Sequence, residues 1–195
     1  ADKYNLWIIE DACHSPGGSF QDSSKHLQKS GNGNFSDLSI FSFHPVKHIA
    51  SGEGGMITTN NLKLYNKLLK LRSHGITTDP TEMTEASHGP WYYQQIELGF
   101  NYRMTELQAA LGVSQMQRLD EFILARNAIA SIYTQAFKAQ PLNHLAQSDA
   151  CLSSYHLYIL QLEDKAAHHT LICELRNRKI MSHLHYIPIH IQPYY

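Results

Sequence analysis

Long apolar runs are missing from this 195-residue chain. No stretch approaches the roughly 18 residues of a membrane helix, so a membrane-spanning protein is not expected. Charge of one sign is missing too. Sixteen Lys and Arg face 17 Asp and Glu, a net charge of -1, which gives no global pull toward nucleic acid or an anionic membrane. Cysteine is scarce: Cys13, Cys151 and Cys173 are far apart, odd in number and form no CxxC. That excludes a disulfide framework or a zinc knuckle and points to a reducing cytoplasm. The opening ADKYNLWIIE lacks a basic region, an apolar stretch and a cleavage site in order, so no signal peptide is expected. What remains is ordinary globular composition, 43% apolar and 17% charged. Histidine alone is abundant, with 13 copies. His44 and His48 have the i, i+4 spacing of a shared metal site on a helix, and His185 and His190 flank a proline. No carboxylate completes either pair in an HExxH-like pattern, so hydrogen-bonding histidines are the better reading and no metal is expected.

The elements read as α/β. Residues 6–9 form a continuous apolar run ending at Glu10-Asp11, before the turn formers Ser15-Pro16-Gly17-Gly18. A strand apolar on both faces belongs inside a parallel sheet covered by helices. Residues 21–36, rich in Ser, Asn and Gly, read as a loop. Residues 38–43 and 54–59 are two further strands; Asn60 or Asn61 then caps a helix bearing Leu64, Leu68 and Leu71. Residues 74–90 read as a long polar loop. Thr105-Glu-Leu-Gln opens a helical pattern running to about Phe137, long enough to require a bend or break. Pro141 marks a domain boundary, giving 1–140 and 141–195. In the second part, 154–162 reads as a strand, 165–178 as a helix and 180–187 as a strand.

Chemistry concentrates in two segments. Ser-Phe-His-Pro-Val-Lys-His, residues 42–48, leaves a predicted buried strand and is followed by Ser-Gly-Glu-Gly-Gly, residues 51–55. Burial disfavours an ammonium, so a lysine in an apolar wall can present a nucleophilic amine to a carbonyl. Glycines let backbone N–H groups approach a phosphate. On spacing alone, a solvated surface lysine remains the commoner outcome for Lys47. The Walker pattern is absent, so no nucleoside triphosphate site is indicated. The other segment, Glu-Asp-Ala-Cys-His at 10–14, places Asp11 outside the carboxyl end of a strand, where open sheets bind ligands. A carboxylate there can keep a pyridine nitrogen protonated. Asp11 reads equally well as a helix cap.

The order of EDACHSPGG, SFHPVKHIASGEGGMITT and ELGFNYRMTELQAALG closely resembles the DegT/DnrJ/EryC1/StrS sugar aminotransferase family over nearly the whole chain. The SFHPVKH motif and the ending HYIPIHIQPYY are most similar to the branch acting on UDP-linked 4-keto-6-deoxy amino sugars on the way to pseudaminic acid. That branch makes UDP-4-amino-4,6-dideoxy-N-acetyl-altrosamine, with L-glutamate as donor. The resemblance implies a cytoplasmic homodimer that uses pyridoxal 5′-phosphate. It implies the PLP-dependent transferase fold, aspartate aminotransferase type I, as the later part of a large α/β domain with its long connecting helix plus the start of a small one. Residue by residue, it makes Lys47 the Schiff-base lysine and proton shuttle. Asp11 becomes the partner of the pyridine nitrogen, and Ser42 the phosphate-binding serine. His14 stands where many relatives carry Gln near the phenolic oxygen. Asn101, in GFNYR, would reach the phosphate of the neighbouring subunit.

Family chains are about twice this length, and Lys179 and Met181 replace the glycine common in a helix-to-strand turn. Two other readings therefore stand beside the enzyme: a catalytically incompetent remnant that keeps the motifs, and a histidine-rich metal-binding protein.

Overall fold

The computed structural model describes residues 1–164 and 166–195. In chain order the strands are β1 (Ile9–Asp11), β2 (Ser19–Gln21), β3 (Leu27–Lys29), β4 (Leu38–Ser42), β5 (Gly55–Thr58), β6 (Ile76–Thr77), β7 (Gln94–Gln95), β8 (Asn143–His144), β9 (Cys151–Leu152) and β10 (Leu160–Gln161). The helices are α1 (Leu62–Leu71), α2 (Glu106–Met116), α3 (Leu119–Phe137) and α4 (Lys165–Asn177). Two compact units result: residues 1–131 with 147–157, and residues 132–146 with 158–195. The segment 147–157, which lies past the expected boundary at 140/141, packs with the first unit.

The first unit is built on a sheet of order β1-β4-β5. β1 runs parallel to β4 in the register Ile9↔Leu38 to Asp11↔Ile40, and β5 returns antiparallel to β4. The apolar run before Asp11 is not buried on both faces as expected. Leu6, Trp7, Ile8 and Ile9 are 62%, 67%, 43% and 61% exposed; Leu6 to Ile8 precede β1, which lies at the edge of the sheet beside β4. Buried side chains gather instead just beyond the strand ends, at Ala12, Phe43, Ile49 and Ile123. Gly17 allows α3 to come this close. Its φ is +78°, and a Cβ on it would lie 2.9 Å from Ile123 Cγ1.

Local chemistry sets the helix boundaries. Asn61 Oδ1 accepts from the N–H groups of Lys63 and Leu64 at 2.9 and 3.3 Å, starting α1. Thr105 and Gln108 form a reciprocal capping box that starts α2. The long helical pattern breaks at Gln117 and Arg118, between α2 and α3.

Four further expectations give way. Residues 21–36 contain half of a hairpin: β2 pairs antiparallel with β3, and Asp22 Oδ1 ties the turn by accepting from Ser24 and His26 N–H. β6 and β7 pair at the borders of the loop predicted over 74–90. Residues 180–187 form no strand, because their alternating apolar residues find no ladder partner, and a short 3-10 turn follows at Ile189–Ile191. Within 154–162, only β10 is strand, paired with β8 in the second unit.

Candidate active site

The parallel register of β1 and β4 brings two loops out of the same sheet end. One begins at Asp11 and continues through Cys13 and His14. The other begins at Ser42 and carries Lys47. The Ala12 N–H donates to the Ile40 carbonyl at 2.9 Å, locking the first loop to β4. The Lys47 loop is a turn rather than a helix: the Lys47 N–H donates to the His44 carbonyl at 2.9 Å. It is anchored behind by Ser51 N–H to the Phe43 carbonyl at 3.0 Å and Phe43 N–H to the Gly54 carbonyl at 2.8 Å. The Ser51 hydroxyl donates to the Glu53 carbonyl at 2.9 Å. Gly52 has a φ of +86°, and a Cβ there would meet nothing within 4 Å, so this glycine turn borders open space.

Of the expected site residues, Asp11, His14, Ser42 and Lys47 all belong to this sheet end. Lys47 is near enough to act electrostatically on Asp11, Cys13, His48 and His156. Asp11 Oδ1 accepts from the Cys13 N–H at 3.0 Å. Hydrogen bonding from Cys13, side chain first and backbone second, holds the Asp11 carboxyl below its ordinary value, and His14 and Lys47 lower it further. Burial, then the same Asp11 contact, pushes the Cys13 thiol up to about 11, so it stays protonated. Ser42 Oγ accepts from the His44 N–H at 3.4 Å. Asn101 belongs to another segment, where it is exposed and forms an isolated antiparallel bridge with Ser73.

Three participants were not singled out as site residues in the sequence: His48, Ser154 and His156. The His44/His48 pair was read as possible metal ligands, but the two diverge. His44 Nε2 lies 3.7 Å from Glu53 Oε1, whereas His48 Nε2 lies 2.9 Å from the Ser154 carbonyl. A carbonyl only accepts, so His48 carries its proton on Nε2. His48 Nδ1 is then buried and without a partner, as is His156 Nδ1. Burial above all lowers His48 to about 4 and His156 to about 4. The His156 ring lies 4.3 Å from that of His14 and 5.3 Å from that of His48. Among the described residues no group of three or more His, Cys, Asp or Glu could hold a metal ion, and no helix is long and apolar enough to cross a membrane.

A concavity of about 390 Å³ lies at the other end of β1, lined by residues including Asp2, Leu6, Trp7, Phe35 and Asp37. None of the chemistry-bearing residues above lines it. Asp11, His14, Ser42 and Lys47 instead leave the opposite sheet end, on the loops that follow β1 and β4.

The model of the DegT/DnrJ/EryC1/StrS aminotransferase family matches residues 1–195. A UDP-4-amino-4,6-dideoxy-N-acetyl-beta-L-altrosamine transaminase of Campylobacter jejuni is 39% identical over 163 residues, covering 83% of this chain and 39% of that protein. Helicobacter pylori PseC, an aminotransferase involved in the biosynthesis of pseudoaminic acid, superposes with a TM-score of 0.85 at 29% identity, covering 100% of this chain and 49% of that one. The PLP form of Spr1654 from Streptococcus pneumoniae superposes with a TM-score of 0.82 at 28% identity, covering 97% of this chain and 46% of that one. The chain spans about half the length of the curated relatives it matches.

Proposed function

Because the chain belongs to the DegT/DnrJ/EryC1/StrS aminotransferase family, we propose that it carries the cofactor-binding end of an enzyme that moves an amino group from L-glutamate to a UDP-linked 4-keto-6-deoxy amino sugar. The family works with pyridoxal 5′-phosphate, and the donor set fits that group. A carboxylate suits its pyridine nitrogen, an amine its aldehyde, and a hydroxyl beside a glycine turn its phosphate. When bound, the cofactor supplies a ring that accepts electrons from the carbon losing its proton.

The chain's own residues do the rest. Asp11, ionised and oriented by Cys13, would hold a proton on the pyridine nitrogen. Ser42 Oγ and the N–H groups of residues 52–54 would hold the phosphate. Lys47 Nζ would hold the aldehyde carbon and would serve as the base that moves the proton. His14 offers a hydrogen bond near the phenolic oxygen. Asn101 is exposed, in keeping with a homodimer in which it reaches the neighbour's phosphate. The free thiols of Cys13, Cys151 and Cys173 suit a reducing cytoplasm.

The observation that carries this reading is the parallel β1/β4 register, which sets Asp11 and Ser42 at neighbouring strand ends with Lys47 close enough to act on Asp11. Borohydride trapping of added pyridoxal phosphate followed by peptide mapping tests it. The label is expected on Lys47, and a label on another lysine overturns the assignment. In a substrate panel with glutamate, amination of simple keto acids but of no UDP-keto-sugar would refute the acceptor.

A further inference from the structure

The segment 153–157 is fastened beneath the site by side chains distant in sequence. Asn127 Nδ2 donates to the Ser153 carbonyl at 3.0 Å, and Arg126 Nη1 donates to the Tyr155 carbonyl at 2.9 Å and to the His156 carbonyl at 3.4 Å. His48 Nε2 donates to the Ser154 carbonyl at 2.9 Å, while the Ser154 hydroxyl donates to the His14 carbonyl at 2.9 Å. Tyr155 takes a left-handed φ of 45°, which the surrounding hydrogen bonds sustain. Ser154 is 2% exposed and His48 4% exposed, so this is a built floor and not a surface loop.

The fastening sets one ring beside two histidines of the site's loops. His156 stands between His14, at 4.3 Å, and His48, at 5.3 Å, with both pairs tilted at 51°. His14 is the residue read above as a cofactor contact, and His48 is joined by a peptide bond to Lys47. Burial above all, and after it His14, Lys47, His48 and Arg126, disfavours a proton on His156. His156 Nδ1 is buried without a partner, and the contact on which the His14 ring rests is the His156 ring itself, 4.3 Å away.

We propose that His156 is a positioning residue of the cofactor site, whose ring, wedged between His14 and His48, sets the orientation of the His14 imidazole. This rests on the reading of Asp11, His14 and Lys47 as the cofactor end. A supporting partner that orients a ligating side chain typically changes affinity by about tenfold or more. Two measurements on the full chain, one of them free of cofactor, test the proposal. In histidine-ring NMR without cofactor, His156→Ala is expected to shift the His14 ring resonances and broaden them. Pyridoxal phosphate affinity, read by absorbance, is expected to fall about tenfold in the same variant. His156→Phe, which keeps a flat ring, is expected to restore most of that affinity. Unchanged His14 resonances in a folded His156→Ala chain would overturn the proposal, as would equal losses in the Ala and Phe variants with both folded by circular dichroism. Should the parent chain show no affinity for pyridoxal phosphate, the cofactor reading falls, and the His14 resonances still decide the role of His156.

Discussion

Acid should weaken this protein well before its carboxylates titrate. His48 is 4% exposed, donates through Nε2 to the Ser154 carbonyl, and has no acceptor for a proton on Nδ1. Its value falls from 6.5 to about 4 on folding, chiefly by burial. A depressed histidine leaves stability intact above the unfolded value and loses it as pH drops through 6.5 toward 4, because the unfolded chain takes up the proton first. Integrated between pH 7.5 and 5, one such group removes about 2 kcal/mol. His156 shifts in the same direction but is only half-buried and shares the cluster, so its share is smaller. The lowered carboxylates, Asp11, Asp22, Asp79 and Glu82, start from 3.8 or 4.5 and contribute below that window. Urea midpoints followed by circular dichroism at pH 7.5, 6.5, 5.5 and 5 would measure the slope. His48→Gln should lower stability at pH 7.5 yet remove close to one proton from the pH dependence. Stability that stays flat from pH 7.5 to 5, or a variant with the parent's slope, would refute the argument.

Asp11→Asn keeps the shape but removes the charge that holds a pyridine nitrogen protonated; kcat of the complete enzyme should fall by more than about a hundredfold, roughly 2.7 kcal/mol of barrier. Near-normal turnover would leave Asp11 as a cap. Glu10→Ala should cost about 2–3 kcal/mol in a denaturant titration, since Glu10 accepts from the Gly31 N–H at 3.0 Å and from the fully buried Ser39 hydroxyl at 2.9 Å. Gly17→Ala combines a φ of +78° with a Cβ 2.9 Å from Ile123 Cγ1, and thermal unfolding should show a loss of about 1–3 kcal/mol. A Gly17→Ala chain as stable as the parent would mean that α3 yields at this contact.

Legibility in the sequence followed the range of the interaction that decides each element. Asp11 and Ser42 could be placed at strand ends because an apolar run followed by turn formers is a local signal. Thr105 with Gln108 announced a helix start for the same reason. The β2–β3 hairpin was lost because its residues are polar and its turn depends on one carboxylate, Asp22, rather than on an apolar alternation. Residues 180–187 failed in the opposite sense: their pattern suits a strand, but strands exist only where a neighbour completes the ladder. His156 gave no local signal at all. Its place is set by Arg126 gripping its carbonyl and by rings contributed from His14 and His48, none of which can be seen from the residues beside it.

The floor of the site also has a history in time. The bond from His48 to Ser154 joins residues 106 apart, and that from Ser154 to His14 joins residues 140 apart. On a ribosome adding about 5–20 residues per second, the His14 loop would wait roughly 7–28 s before Ser154 is made. During that interval β1, β4 and Lys47 can assemble while the surface beneath His14 lies open. Closing it requires a long chain excursion, which makes this floor a late step of folding rather than a nucleus. A newly made chain therefore carries Asp11 and Lys47 well before it carries Ser154, the residue that ties the His14 loop to His48.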